Sequence, residues 1–431
     1  MLKVIKDKFS SGMGRDVVWT FSIQILIMLC SFAINKLLAN RLSIDDFGQY
    51  NVIKRSVQVL SFVMLAGVGI ALPRYIPLYR NGEKQRRILP LLTASLIYIV
   101  GITLIVVLLC CVFSGPMQHL IIGQRGDTAL YAIAITYAFV LALAQYAYAY
   151  YRGIGDFKWY NGTQLGVQLA IILPLVLLPV LTVQGVFTSW LLITLFLVAY
   201  YLGRELWRKR YAIPSSIAHL TSSLSRLTSH LSTIAKYSSG RLVADFFLFS
   251  LSAFPLVYIS NTQGLQPTAY YSVGITFVTM VTPVFSFMGI ILLPYVSQAI
   301  AKNEVHSANR LINRLALLYV AASAAITLIM YVFIRFFTLL FFAESYVAAS
   351  DLSRIMILSI LPQAIYLLYR NPIDAVSVVP YNTIILALCL FLMVITFLLS
   401  TTITQFAWAY LAVSTLQGLL SYFTWQFVKR K

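Results

Sequence analysis

Charge is scarce in this chain. Of its 431 residues only 10% are Asp, Glu, Lys or Arg, against roughly 25% in soluble domains, while 60% are hydrophobic. A soluble core of this length has no use for so much apolar surface, whereas a lipid bilayer does. Two stretches, residues 246–301 and 375–428, carry no charged residue. Each has room for two spans of about 20 residues and a turn. Every backbone amide in hydrocarbon needs an internal partner, so such runs are helices. The alternating pattern of an outer-membrane barrel is absent.

Other shortages exclude whole classes of function. There are only 13 acidic residues, and the longest outward loops, 114–127 and 342–351, are too short to build a catalytic domain. Membrane glycosyltransferases and polymerases present acids on sizeable outer loops, so an enzyme is not expected. The four histidines, His119, His219, His230 and His306, sit in loops or at membrane edges without ligand spacing. The four cysteines, Cys30, Cys110, Cys111 and Cys389, lie inside apolar runs and read as small hydrophobes rather than disulfides or metal ligands. No glycine-rich phosphate loop is present, so the chain is not expected to hydrolyse ATP or to carry a cofactor.

What is abundant is apolar helix. Spans are expected at roughly 17–39, 47–76, 88–113, 128–151, 162–183 and 186–207, then at 238–260, 267–300, 311–341, 352–369, 381–400 and 405–427. That makes an all-α polytopic membrane protein of about twelve transmembrane helices. Residues 1–16 lead directly into a full-length span, which speaks against a cleavable signal peptide. The expected domains are a six-helix lobe at 1–210, a basic Ser-rich connection at 211–236 and a second six-helix lobe at 237–431.

The 32 basic residues give a net charge of +19. On a soluble protein that balance would suggest nucleic acid. Here it marks cytoplasmic loops, and no nucleic-acid partner is expected. Alternate loops hold Lys3, Lys6, Lys8 and Arg15; Arg80, Lys84, Arg86 and Arg87; Arg152 and Lys158; Arg204 to Lys236; Lys302, Arg310 and Arg314; Arg370; and Lys429 to Lys431. The intervening loops hold little beyond Arg41 and Arg125. This asymmetry places both termini in the cytoplasm.

The sequence also repeats itself. GQYNV…ALPRYIPLYRNGEK in the first half answers AYYSV…LLPYVSQAIAKNEV in the second, at an offset of 221 from Tyr50 to Tyr271. At that offset Asn40 meets Asn261, Pro73 meets Pro294 and Glu83 meets Glu304. Tyr151-Arg152 with Asp156 recurs as Tyr369-Arg370 with Asp374, and Tyr160-Asn161 recurs as Tyr381-Asn382. With six spans in each half, both halves start on the same side of the membrane, so the repeat is parallel, about a pseudo-two-fold. Two such lobes are the general plan of an alternating-access transporter, with its substrate site between them.

Intramembrane polar residues mark the candidate site. On the second span Asn51, Lys54, Arg55 and Gln58 fall at i, i+3, i+4 and i+7, within one arc of about 100°. On the first, Thr20, Gln24, Ser31 and Asn35 share a face, with Lys36 off that stripe and shallow enough to snorkel. The fifth adds Asn161, Gln164 and Gln168. Together they suggest a water-filled, cationic cavity in the first lobe. In the second lobe Asp245 is the clearest intramembrane acid. Arg241, four positions earlier, is its expected partner, and the pair is either a structural neutralisation or a coupling-cation or proton site.

The segment LSIDDFGQYN from Leu42, the span ending ALPRY at Ala71 to Tyr75, and YRGIGDF from Tyr151 to Phe157 resemble the polysaccharide-transport (O-antigen flippase) family. That family shares a superfamily with multidrug and toxin extrusion transporters and the lipid II flippase. The likeness covers essentially the whole chain. It implies movement of undecaprenyl-pyrophosphate-linked oligosaccharide repeat units from the inner to the outer leaflet of the bacterial cytoplasmic membrane. The implied partners are that lipid-linked substrate, membrane lipids, and a polysaccharide polymerase and chain-length regulator. Relatives use basic residues on the first two spans, where Lys36, Lys54 and Arg55 stand here. Val257, Ile275 and Thr276 occupy the corresponding places of the second half, which therefore lacks a cationic counterpart. The alternative is a multidrug or small-solute exporter of the same fold.

Overall fold

A computed structural model describes residues 12–79, 88–123, 127–209, 243–301, 305–377 and 379–429. Among them there is no β-strand. The helices are α1 (Gly12–Arg41), α2 (Ile44–Leu65), α3 (Val68–Tyr79), α4 (Ile88–Val112), α5 (Ser114–Ile122), α6 (Thr128–Gly153), α7 (Phe157–Ala170), α8 (Ile172–Leu177) and α9 (Val183–Lys209). They continue with α10 (Val243–Thr262), α11 (Leu265–Ala301), α12 (Val305–Val332), α13 (Ile334–Phe341), a 3₁₀ turn (Glu344–Ala349), α14 (Ser350–Ile357), α15 (Ile360–Val376), α16 (Tyr381–Leu399) and α17 (Ile403–Val428).

Ten of these segments are long and apolar enough to cross a membrane, and an eleventh is the pair Glu344–Ile357 and Ile360–Val376, bent by 45°. The expected twelfth span, 405–427, falls in the 26-residue α17, which is not among the helices apolar enough to count as a span. Gln405, Ser414, Gln417 and Ser421 interrupt its apolar run. This is the polytopic all-α fold that the hydropathy pattern indicates.

Helix boundaries follow local chemistry. Asp127 caps α6 by accepting from Ala129 N at 2.9 Å and Leu130 N at 3.3 Å. Asp156 caps α7 through Trp159 N, and Thr402 and Gln405 form a capping box at α17. Each satisfies amides that a helix start leaves without partners.

Several expected single spans are broken. The second, Ile44–Tyr79, breaks where Ala66 (φ 49°) and Gly67 (φ 74°) both enter the left-handed region. Glycine adopts that conformation freely; alanine does so at a cost. The fifth starts earlier than its hydropathy suggests, at Phe157, and breaks at Ile171 between α7 and α8. Trp190 Nε1 donates to the Ile171 carbonyl at 2.9 Å. Arg41 donates to the carbonyls of Leu175 at 2.6 Å and Pro179 at 2.8 Å. The carbonyls left open at the end of α8 are thus answered by an arginine.

The chain divides into two compact units. The first comprises Met1–Leu42, Ser56–Ile122 and Gly126–Leu242; the second comprises Ser43–Arg55, Gly123–Arg125 and Val243–Lys431. The opening turns of α2 therefore belong with the second unit. Phe47 packs edge-on against Tyr346 at 5.1 Å and Phe342 at 6.1 Å. Gly48 lies directly against the Leu265 carbonyl, with no room for a β-carbon.

Candidate functional site

In the first unit the polar stripes of α1 and α7 meet each other. Asn161 Nδ2 donates to Thr20 Oγ1 at 2.9 Å, Gln24 Nε2 to Gln164 Oε1 at 2.8 Å, and Gln168 Nε2 to Ser31 Oγ at 3.0 Å. Their side chains form a three-rung polar zipper between neighbouring helices. In hydrocarbon a side-chain amide gains more from such a partner than from facing lipid. Asn35, at the end of the same α1 stripe, is buried at 6% exposure, and its Oδ1 has no hydrogen-bond partner. Lys36 beside it is half-buried.

The cations of α2 stand in the second unit. Asn51 is 5% exposed and donates to the Phe47 carbonyl of its own helix at 2.8 Å. It is spent on its own helix, whereas Lys54 and Arg55 are half-buried side by side. Lys54 Nζ lies 5.5 Å from the centre of the Tyr50 ring, a cation–π arrangement. Arg55 is in electrostatic range of the Tyr410 and Tyr50 hydroxyls. Tyr410 belongs to a polar cluster on α15 and α17: Gln363 Nε2 donates to the Tyr410 hydroxyl at 2.9 Å and lies 3.5 Å from Ser414 Oγ. Among the described residues no carboxylate stands within ion-pair distance of Lys54 or Arg55. Gln58, one turn further on, is half-buried and falls to the first unit. The sequence pattern picked out Lys54 and Arg55 but not Tyr410 or Gln363, which lie in the second half of the chain, far from the polar arc of α2.

Asp245 on α10 pairs with Arg370 on α15, Nη2 to Oδ1, at 3.2 Å. Arg241, the partner expected from i, i+4 spacing, lies outside the described residues. Arg370 was visible as part of the Tyr-Arg…Asp repeat, although nothing in that repeat said what it pairs with. Asn382 Nδ2 completes the cluster by donating to the Arg370 carbonyl at 2.8 Å and to Asp374 Oδ1 at 2.7 Å. The first unit builds its corresponding cluster from different residues. There Glu205 accepts from the Tyr150 hydroxyl at 3.1 Å and from Arg204 at 3.0 Å, and Arg204 lies 3.6 Å from the centre of the Trp159 ring. Arg354, at a helix surface, pairs with Asp351 at 2.8 Å. No group of three or more His, Cys, Asp or Glu able to hold a metal occurs among the described residues.

Two bundles of long apolar helices, with polar clusters among the helices of each, define a polytopic membrane protein. Solved structures share this fold. An inward-facing multidrug resistance MATE family transporter of the MOP superfamily matches with a TM-score of 0.71 and 13% identity, covering 96% of this chain and 98% of that one. The lipid II flippase MurJ, in an inward closed conformation, matches with a TM-score of 0.68 and 13% identity over 95% and 87% of the two chains. A MOP superfamily transporter from Pyrococcus furiosus, described as having a binding pocket of reverse polarity, matches with a TM-score of 0.61 and 13% identity over 96% and 95%. At these identities the likeness establishes the fold. No curated protein matches the sequence. The polysaccharide biosynthesis protein family model matches residues 13–300, and the chain belongs to that family. The MatE family model also matches, over residues 242–400.

Proposed function

We propose that this protein is a flippase for undecaprenyl-pyrophosphate-linked oligosaccharide repeat units, working by alternating access in the bacterial cytoplasmic membrane with both termini inside. The observation that carries this reading is the pair Lys54 and Arg55. Two adjacent half-buried cations without a carboxylate partner among the described residues are costly at membrane depth, at about 2.5–3.5 kcal/mol each on insertion scales. An anion offsets that cost. A pyrophosphate does so through charge-assisted hydrogen bonds, two of them in parallel from a guanidinium. Tyr410 adds a hydroxyl in range of Arg55. Family membership supports the same substrate class.

Within this reading Lys54 and Arg55 hold the charged head, while Gln58, Asn35 and Lys36 are secondary. A second reading, export of a small organic solute, draws on the MatE match. Exporters of cations need an available acid, and here Asp245 is engaged by Arg370.

The experiment is restoration of surface polysaccharide in a flippase-null strain, with membrane abundance checked for each variant. Lys54→Ala and Arg55→Ala should each cut export about tenfold or more, the loss of roughly one charge-assisted hydrogen bond. Arg55→Lys should fall in between, and Lys36→Ala should change little. If the Lys54→Ala/Arg55→Ala double variant reaches wild-type abundance and exports normally, the cationic-site reading is wrong and the exporter reading takes its place.

A further inference from the structure

A cavity in the second unit has no part in the site above. It is a groove of about 930 Å³ between α12, α15 and α17, toward the upper end of the range for ligand clefts. Its floor forms where α15 and α17 touch: a β-carbon on Gly418 would stand 2.6 Å from the Pro362 carbonyl. Its walls are apolar, with Leu317 72% and Leu419 49% exposed. In a membrane protein such exposure means contact with acyl chains.

The two ends of the groove differ. Asn313, near the start of α12, and Gln426 and Lys429, at the end of α17, line one end. Tyr369 and Tyr422 stand beside them with ring centres 5.8 Å apart. The opposite end, at Leu358 and Val320, is apolar. From Thr415 to Lys429 the groove follows about 21 Å of helix at 1.5 Å per residue. That is somewhat more than one leaflet, which is about 15 Å of a 30 Å hydrocarbon core. The polar end lies on the basic face, where Arg430 and Lys431 follow in sequence.

We propose that this groove is a binding site for one anionic phospholipid of the leaflet at the basic face, with its acyl chain along Leu317, Ile365 and Leu419 and its phosphate at Lys429, Gln426 and Asn313. Charge complementarity selects the occupant. An uncharged apolar partner, or a second copy docking by its apolar surface, would leave an ammonium and two amides without a function at one end. Anionic headgroups attract membrane-proximal lysines and arginines. The site is independent of the transported substrate.

The test is native mass spectrometry of the full chain in detergent, titrated with phosphatidylglycerol or phosphatidylcholine of identical acyl chains. Wild-type protein should retain phosphatidylglycerol about fivefold better, the worth of one lysine beside an anionic headgroup. Lys429→Gln should reduce that preference to within about twofold while leaving phosphatidylcholine retention unchanged. Ile365→Trp, which fills the groove, should lower retention of both lipids; Leu361→Phe serves the same purpose if that variant does not fold. Equal retention of the two lipids by wild type, or an unchanged preference in Lys429→Gln, overturns the proposal. So does a dimer that Ile365→Trp converts to monomer, or displacement of phosphatidylglycerol by an equimolar polyprenyl phosphate, which would assign the groove to the substrate's tail.

Discussion

Arg370 reaches across from α15 to hold Asp245 on α10, with Nη2 3.2 Å from Oδ1 and side chains 29% and 17% exposed. The two residues lie 125 positions apart. Removing one partner of a largely buried pair costs up to about 3–5 kcal/mol, while replacing both partners by neutral groups costs much less. Arg370→Ala should therefore lower thermal stability in detergent markedly. Arg370→Gln combined with Asp245→Asn should recover most of the loss. If the double variant melts as low as Arg370→Ala, the pair is not the unit of stability. If it is stable yet inactive, Asp245 has a role in coupling beyond neutralisation.

The polar zipper of α1 and α7 makes a smaller demand. Interhelical hydrogen bonds in membranes are worth about 0.6 kcal/mol on average and up to about 1.7. Gln164→Leu should cost about 1 kcal/mol because it leaves the Gln24 amide unpaired. Adding Gln24→Leu should cost little more, or restore stability. Strictly additive losses in the thermal melts of the single and double variants would mean that the two amides do not act on each other.

Gly48 sits where α2 meets the start of α11. A β-carbon there would strike the Leu265 carbonyl, which is backbone and cannot rotate away. Gly48→Ala should destabilise by about 1–3 kcal/mol, the usual range for overpacking. Because Lys54 lies under two turns further along the same helix, export should fall with it. Wild-type melting and export in Gly48→Ala would show that α2 has slack at this crossing.

The topology can be tested by labelling. Single cysteines at Gln184, Gln263 and Thr402 should react with an impermeant thiol reagent added outside, and cysteines at Asn81 and Asn303 should not. The basis is the alternating distribution of lysine and arginine. The reverse labelling pattern would invert the orientation.

Sequence alone determined the solvent of this protein, its helical character, the approximate number of spans and the internal repeat. These properties rest on composition and local pattern. Hydropathy over about 20 residues decides membrane burial, and backbone hydrogen bonding in lipid then leaves only the helix. The polar arc of α2 was equally legible, since 3.6-residue periodicity puts Lys54 and Arg55 on one side whatever surrounds them.

Tertiary structure decided what each polar stripe faces. Periodicity states which residues share a side of a helix, but not the rotation of that helix against its neighbours. The α1 and α7 stripes turned toward each other, and on α2 Arg55 came within range of Tyr410 while Lys54 lies over the Tyr50 ring. Asp245 found Arg370, 125 positions away, a relation that i, i+4 spacing cannot contain. The breaks at Ala66 and Ile171 were hidden for a related reason. A helix interruption at membrane depth is tolerated only where other groups, such as Trp190 and Arg41, satisfy the freed carbonyls. Those groups lie far away in sequence, so the chain has to fold before they can be identified.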